Sequence, residues 1–284
     1  RYNGSGNGAD RAVKIQAVNA TNIWVTGRVW NGTNEDIATI KYNGSLVQQW
    51  IGIYTGAGFT DQPRDMFVDG SGNSFIAGNT GTASNSDDYV VVKYNNAGTQ
   101  QWTYTYNGTG SYIDRAYSIF SNANGVYLTG RSAPSSGADS ADVVTVKLNT
   151  STGAQLWLNR YNGTGALYDR GNSVNSNSLG NIFVTGESIG SGSGYDFITL
   201  LYDDGGNIIS NMRYNGAGNK DDAGRAMTVD ASGSICAAGF STGAGTSGFD
   251  ATTLKICPPL GAPVFSSGVT YVCRSQTGFV YSIA

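Results

Sequence analysis

A four-residue phrase recurs along the chain at a nearly constant spacing, and this spacing restricts the fold more than any other feature. The phrase reads Arg/Thr-Tyr-Asn-Gly, with the variant Ile-Tyr-Thr-Gly at 53–56, and its tyrosines stand at positions 2, 54, 106, 161 and 214. A period of about fifty residues is typical of repeat architectures, in which each copy forms one supersecondary unit. The chain therefore predicts five structurally related units.

Further markers occur in the same order from copy to copy. A glycine closes one β-rich run, an aspartate opens the next, an arginine stands near the start of the copy, and a tryptophan stands near its end. The four series are Gly27, Gly78, Gly130, Gly186 and Gly239; Asp36, Asp88, Asp142, Asp196 and Asp250; Arg11, Arg64, Arg115, Arg170 and Arg225; and Trp50, Trp102 and Trp157, with Ser210 in the fourth copy. Markers in constant order make chance similarity an inadequate explanation.

The third copy shows how one unit is built. Residues 115–121, 126–131, 142–148 and 155–161 read as short strands separated by turn residues. Four strands per fifty residues, without helical periodicity, are typical of a propeller blade. A β-helix has shorter coils, and a row of sandwiches needs about 100 residues per unit. The sequence thus predicts an all-β fold, a β-propeller of four-stranded antiparallel blades.

The number of blades depends on how the two ends of the repeat meet. Arg1–Gly4 matches the end of a fourth strand, whereas the last copy, which begins at Arg225, has only three strands before Cys257. We therefore expect residues 1–257 to form five blades, closed when the N-terminal strand completes the last one and removes the exposed sheet edges. A six- or seven-bladed ring, of which this chain is a part, is the alternative.

Composition excludes several classes of function. The chain has 17 Lys+Arg, 20 Asp+Glu and a formal net charge of −3, which argues against nucleic acid as a partner. Histidine is absent, so the commonest general base and metal ligand is missing. No apolar stretch has the length of a membrane span, so we expect no membrane insertion. No cofactor is predicted.

The repeat resembles a known bacterial family. Asp-Arg-Ala, then Thr-Gly, Asp, Lys-Tyr-Asn, Trp and Arg-Tyr-Asn-Gly in this order are similar to SBBP repeats, which form seven-bladed β-propellers common in secreted bacterial proteins. The similarity covers residues 1 to about 257. It implies the fold but is nearly silent about activity, because propellers host unrelated functions.

The C-terminal segment differs from the repeats. Residues 258–267 read as a Pro-rich linker, and residues 268–284 resemble the beginning of a PKD-like, immunoglobulin-type domain typical of large Bacteroidota surface proteins. Two strands are too few for an independent domain, so we expect a longer modular protein with further domains. Together the two resemblances imply an extracellular or cell-surface adhesin exported by the type IX route.

The repeated residues have a structural and a functional interpretation. The aspartates could form a carboxylate ring, but a residue present in every blade more often caps backbone N–H groups or pairs with the repeated arginines. The tryptophans could be sugar platforms, but packing between blades explains their repetition. Acidic doublets such as Asp87-Asp88 lack the spacing of a calcium loop. We therefore predict structural roles for all of them, and no catalytic, cofactor or metal residue.

Two further features concern covalent modification. Cys257 and Cys273 flank the Pro-rich linker, and either a disulfide between them or free thiols is consistent with the sequence. Asp139-Ser140-Ala141 resembles the O-glycosylation motif of Bacteroidota, which makes Ser140 a candidate attachment site. Cys236 stands where other copies carry an aromatic residue, so we expect a buried apolar substitute.

The function predicted from these observations is non-catalytic binding or adhesion, with a glycan or a surface protein as the partner. A structural spacer in a surface filament is one alternative, and a glycan-active enzyme is another. An enzymatic propeller would place several unlike polar residues at one mouth and so break the repeat. Ser210 and Cys236 are the only strong departures that the sequence markers reveal, so the chain is predicted not to be an enzyme.

Overall fold

The computed structural model describes residues 1–256, apart from 84–85, 111, 135–139, 166, 178, 231–232, 244 and 246–247, together with 281–282. These residues contain no α-helix, and hence no helix that could cross a membrane. The chain divides into two compact units, Arg1–Tyr161 and Asn162–Ala284. The prediction of an all-β chain built from four-stranded antiparallel blades is confirmed.

The first unit contains three blades, each with its strands in sequence order. Their strands are β1 (Arg11–Asn19), β2 (Asn22–Trp30), β3 (Glu35–Asn43) and β4 (Gln48–Tyr54); β5 (Asp61–Val68), β6 (Ser74–Gly81), β7 (Asp87–Tyr94) and β8 (Gln100–Tyr106); and β9 (Asp114–Asn122), β10 (Gly125–Ser132), β11 (Asp142–Leu148) and β12 (Gln155–Tyr161). The first strands β1, β5 and β9 lie side by side and form the inner edge of the unit.

The second unit contains two blades of the same design. Their strands are β13 (Asp169–Ser176), β14 (Ile182–Ile189), β15 (Tyr195–Tyr202) and β16 (Ile208–Tyr214); and β17 (Ala223–Val229), β18 (Ile235–Thr242), β19 (Phe249–Ile256) and β20 (Tyr281–Ser282). The first strands β13 and β17 again lie side by side.

The expected closure by the N-terminal strand is not observed. Arg1–Gly4 belongs to no strand, and Tyr281–Ser282 pairs with β19 as the fourth strand of the last blade. The edge of β19 at Leu254 and Lys255 is instead taken by Tyr281–Ser282. The Gly4 N–H donates to the Asp10 carboxylate at 2.7 Å, and the Gly6 N–H donates to the Trp30 carbonyl, so the segment is tied to its own blade. The linker and most of the segment expected to begin a second domain lie outside the described residues.

The middle strands owe their composition to burial on both faces. Every residue of β11 is buried, and so are the last six residues of β7. The blade of β7 packs against the first blade on one face and the third blade on the other. Clusters that combine residues of neighbouring blades fill these interfaces: Met66 and Val90 pack with Trp24 and Ile37, for example. The alternation of apolar and polar residues therefore disappears in the middle of a blade, as it does in sheets covered on both faces.

The recurring glycine of the second strand has a steric cause. A Cβ atom on Gly27, Gly78, Gly130, Gly186 or Gly239 would collide with a backbone carbonyl oxygen of the adjacent first strand. At the same place each first strand carries a β-bulge, in which one residue has no register partner. Glycine allows the two backbones to approach closely, and the bulge turns one side chain away from the regular pleat.

The junction from one blade to the next depends on a second repeated contact. An aspartate at the start of each blade accepts a hydrogen bond from the backbone N–H of the glycine that ends the preceding Tyr-Asn-Gly or Tyr-Thr-Gly phrase, at 2.6–2.7 Å. The pairs are Asp10–Gly4, Asp61–Gly56, Asp114–Gly108, Asp169–Gly163 and Asp222–Gly216. The chain thus enters every blade with the same geometry.

Replacement of Gly78 tests the close approach of the two strands. We expect Gly78→Ala to lower the free energy of unfolding by roughly 1–3 kcal/mol, because the added Cβ meets the Gln62 carbonyl oxygen and forces the backbone apart. Gly70→Ala is the matched control in the same blade, since its Cβ would enter open space. Urea denaturation measures both, and equal stability of the two variants would contradict the steric role.

Candidate functional site

Polar side chains gather at one edge of the first unit. In an antiparallel blade the first and third strands start where the second and fourth strands end, so these four positions share an edge. We call it the polar edge; in the first unit it comprises the starts of β1, β3, β5, β7, β9 and β11 and the ends of the remaining strands. The junction aspartates, the bulges and the aspartates at the third strand all lie there.

The structure separates the repeated arginines into two different positions. Arg11, Arg115 and Arg170 directly follow the junction aspartate, whereas Arg64 and Arg225 occupy the bulge itself. The equivalent bulge residues elsewhere are Val13, Tyr117 and Asn172. Bulges re-aim side chains and are frequent beside active sites. The bulge residues differ in type from blade to blade, so the side chains at these positions do not follow the repeat. The sequence markers did not reveal this difference.

The repeated aspartates of the third strand have different partners in different blades. Asp142 accepts a hydrogen bond from Arg160 at 2.7 Å, and Asp196 accepts one from Arg213 at 2.6 Å, so the partner is the arginine of the Arg-Tyr-Asn-Gly phrase. The Asp36 carboxylate accepts from the side chains of Asn31 and Thr55 instead. The remaining two members of the series are Asp88 and the exposed Asp250.

Asp88 is the exception within the first unit. Thr105 stands where the third blade has Arg160, so no guanidinium reaches this carboxyl group. Its Oδ1 atom is buried and has no hydrogen-bond partner among the described residues, although the residue as a whole is half-buried. Burial, together with the charges of Asp114 and Asp87, raises the pKa of Asp88 to about 6. At near-neutral pH this carboxyl group can therefore both hold and release a proton.

The two carboxylates that act on Asp88 have their own partners. Asp87 accepts hydrogen bonds from Nε and Nη2 of Arg115 at 2.5 Å and forms an ion pair with it. Asp114 is fully buried and accepts the Gly108 N–H; burial raises its pKa, and a hydrogen bond from Ser132 opposes the increase. The site therefore combines a carboxyl group that is easily protonated with a carboxylate held by arginine, which is how acid and base roles are separated in enzymes.

The bulge arginine of the second unit forms an ion pair. Glu187 is buried and pairs with both Arg170 and Arg225, and the Arg225 guanidinium also lies over the ring of Phe240. Asn172 donates to the Gly224 carbonyl at 2.8 Å. The third-strand Asp196 of this unit pairs with Arg213, in contrast to Asp88.

The tryptophans of the series lie at the interfaces between blades in the first unit. The indole N–H of Trp50 donates to the Asn96 carbonyl, and that of Trp102 donates to the Thr150 carbonyl, each in the next blade. A Cβ on Gly98 or Gly153 would meet these two rings, so both turns rest on indole faces. The third tryptophan, Trp157, packs near Tyr127 of its own blade.

Other residues singled out in the sequence lie away from the polar edge or outside the described residues. Ser140 is half-buried just before β11. Cys236 lies on β18 and forms no disulfide, whereas Cys257 and Cys273 fall outside the described residues. Among the residues that are described, no group of three carboxylates or cysteines has the arrangement of a metal site.

Comparison with known proteins gives the fold but no family. No protein-family model matches the chain, and no curated protein matches its sequence. Among solved structures, a protein of unknown function from Dyadobacter fermentans is similar, with a TM-score of 0.55, 9% identity and coverage of 87% of this chain and 77% of that chain.

Two further structures are enzymes. An α-L-arabinanase from Penicillium chrysogenum, solved with arabinobiose, has a TM-score of 0.53 and 13% identity. An α-L-arabinofuranosidase from Fusarium graminearum, solved with an iminosugar inhibitor, has a TM-score of 0.51 and 10% identity. In both cases 86% of this chain and 77% of the other are covered. These likenesses show that the chain has the β-propeller fold.

The comparison contradicts two of our predictions. A non-catalytic adhesion propeller and the absence of enzymatic activity were both inferred from repeat symmetry, whereas propellers of this kind include glycoside hydrolases. The symmetry argument was wrong because it considered only residues present in every copy. The bulge residues and the unpaired Asp88 depart from the repeat at positions that the sequence markers do not distinguish.

An arginine placed opposite Asp88 tests why its pKa is raised. We expect Thr105→Arg to lower the pKa of Asp88 from about 6 towards the ordinary aspartate value, because a guanidinium placed as Arg160 is beside Asp142 favours the ionised carboxylate. Carboxyl 13C NMR titration measures the pKa. Ile53→Arg, at the equivalent position of the first blade, is the control and should leave Asp88 unchanged. A pKa that stays near 6 in Thr105→Arg would refute the explanation.

Proposed function

We propose that the chain is a glycan-active enzyme that hydrolyses glycosidic bonds, with Asp88 as the proton donor. The observation that carries the proposal is the position of Asp88: a half-buried carboxyl group at the polar edge, with a buried oxygen that lacks a partner, in a blade where Thr105 replaces the arginine. Within the described part of the first unit, the other two members of the series have side-chain partners for the carboxylate: Asp36 accepts from Asn31 and Thr55, and Asp142 pairs with Arg160. Asp88 has neither kind of partner.

The chemistry of glycoside hydrolysis explains why such a group is useful. The leaving oxygen is a poor leaving group until it is protonated, so one carboxylic acid must carry a proton at the working pH. A pKa of about 6 meets this requirement, whereas an ordinary aspartate would be almost fully ionised. The half-buried position lets a sugar oxygen approach the acid while part of the surrounding water is excluded.

The second carboxylate of the mechanism is assigned to Asp87. Its ion pair with Arg115 fixes its orientation at the start of β7. A carboxylate near the reacting carbon stabilises the positive charge that develops in the transition state, and it either attacks the carbon or activates water. Asp114 keeps its place in the blade junction, and its charge contributes to the raised pKa of Asp88.

The similar solved structures suggest where to begin the search for a substrate. Two of them are an arabinanase and an arabinofuranosidase, so arabinan and aryl arabinofuranosides are the first compounds to test. The similarity to SBBP repeats, which are common in secreted bacterial proteins, supports an enzyme that acts outside the cell on a polymeric glycan. The extracellular location is part of the proposal.

Loss of the proton donor should abolish hydrolysis. We expect Asp88→Asn to reduce kcat/KM for the cleaved glycan by roughly 10²–10⁴-fold, because the amide cannot deliver a proton to the leaving oxygen. The wild-type rate should fall as the pH rises through about 6, where Asp88 loses its proton. A reducing-sugar assay across the pH range measures both effects.

The control for this experiment is the exposed aspartate of the same repeat position. Asp250→Asn should retain full activity, since Asp250 lies in the second unit and is exposed. Hydrolysis that persists in Asp88→Asn would remove Asp88 from the mechanism. Failure of the wild-type protein to cleave any member of a broad panel of polysaccharides and aryl glycosides would overturn the proposed function itself.

A further inference from the structure

We infer that Arg64, at the bulge of β5, binds the carboxylate of an acidic sugar, so that the glycan recognised at the polar edge contains uronic acid residues. This inference rests on the proposed function, because it names the class of substrate for the same site. It comes from a different set of residues from those that carry the acid chemistry.

The contacts of Arg64 differ from those of the other arginines around it. Its Nε donates to the Asn79 amide oxygen and its Nη2 donates to the Gln62 amide oxygen, each at 3.2 Å. Both partners are neutral, and within the described residues Arg64 forms no ion pair. Only two of the five guanidinium donors are engaged by these bonds. The side chain is half-buried, which strengthens its interaction with an anion compared with an arginine in open solvent.

Arg64 is the one member of a group of three arginines that has no ion-paired carboxylate among the described residues. Burial lowers the pKa of Arg64, and the charges of Arg115 and Arg28 lower it further, whereas Tyr117 and Asp87 oppose this change. Arg28 pairs with Glu35, which also accepts a hydrogen bond from Gln62, and Arg115 pairs with Asp87. An anionic ligand would give Arg64 the partner that the other two arginines have.

The geometry around Arg64 favours a carboxylate on a sugar ring. Asn79 and Gln62 fix the orientation of the planar guanidinium, and a planar fork of two N–H donors matches the two oxygens of a carboxylate. The guanidinium lies over the ring of Tyr117, 5.8 Å from its carbon to the ring centroid, and this cation–π contact helps to hold its orientation. Asp87 connects this group to the proton donor, because it is the ion-pair partner of Arg115 and the neighbour of Asp88 in sequence.

Binding to a protein that cannot turn over the substrate tests this inference. The probes are tri-galacturonate, the corresponding neutral galactose trisaccharide and galactose 6-sulfate, each titrated by calorimetry into the Asp88→Asn protein. We expect tri-galacturonate to bind at least roughly tenfold more tightly than the neutral sugar, and more tightly than the sulfated sugar. The preference should weaken as salt is added, because the charges are partly exposed to solvent.

Variants of the two bulge arginines assign the effect to a residue. Arg64→Gln should weaken tri-galacturonate binding by at least roughly tenfold, which corresponds to about 1.4 kcal/mol, without changing neutral-sugar binding. Arg64→Lys, which keeps the charge without the planar fork, should retain part of the affinity. Arg225→Gln is the matched control, because this arginine occupies the equivalent bulge but pairs with Glu187. Thermal unfolding confirms that each variant is folded.

The possible results separate this inference from the proposed function. Equal binding of acidic and neutral sugars, stronger binding of the sulfated sugar, no binding of any probe, or unchanged affinity in Arg64→Gln would each overturn the assignment of a carboxylate. Selective binding of tri-galacturonate that depends on Arg64 supports it, even if the wild-type protein hydrolyses none of the glycans tested. Hydrolysis of neutral glycans only would uphold the enzyme and overturn the acidic substrate.

Discussion

The polar edge depends on the close approach of the first and second strands in each blade. A glycine on the second strand allows this approach, and the first strand compensates for it with a bulge. The glycine and the bulge are repeated in every blade, but the side chain that the bulge redirects differs from blade to blade. A repeated scaffold can therefore carry an asymmetric group of side chains, and Arg64 and Tyr117 stand at two such positions in the first unit.

The environment of Asp88 makes the stability of the folded chain depend on pH. Because burial raises its pKa in the folded state, the proton is bound more tightly by the folded chain than by the unfolded chain. The stabilisation from this proton is fully present below the ordinary aspartate pKa of about 3.9, and it is lost as the pH rises through about 6. Asp142 forms an ion pair with Arg160, whereas Thr105 leaves Asp88 without such a partner.

The sequence predicted the four-stranded blades well because each marker residue is explained by the structure of its own copy. The alternating residues, turn glycines and constant period identify four strands per copy, and the junction aspartates follow the same period. The site was missed for a physical reason: alignment by residue type placed Arg64 and Arg115 in one series, although the bulge moves Arg64 to a different position on the strand. The replacement of Arg160 by Thr105 was visible in the sequence, but its effect on Asp88 requires knowledge of which strands pair.

What the sequence by itself determined is the repeating unit, since strand length, turn chemistry and the burial of apolar residues act within fifty residues. The tertiary structure decided the rest. It placed Tyr281–Ser282 beside β19, at the edge where the repeat predicts Arg1–Gly4. It also separated Asp88 from Asp142 and Arg64 from Arg115: within the described residues, Asp142 and Arg115 form ion pairs, whereas Asp88 and Arg64 do not. Charge compensation depends on distances between residues from different strands and blades, and these distances exist only after the blades have packed.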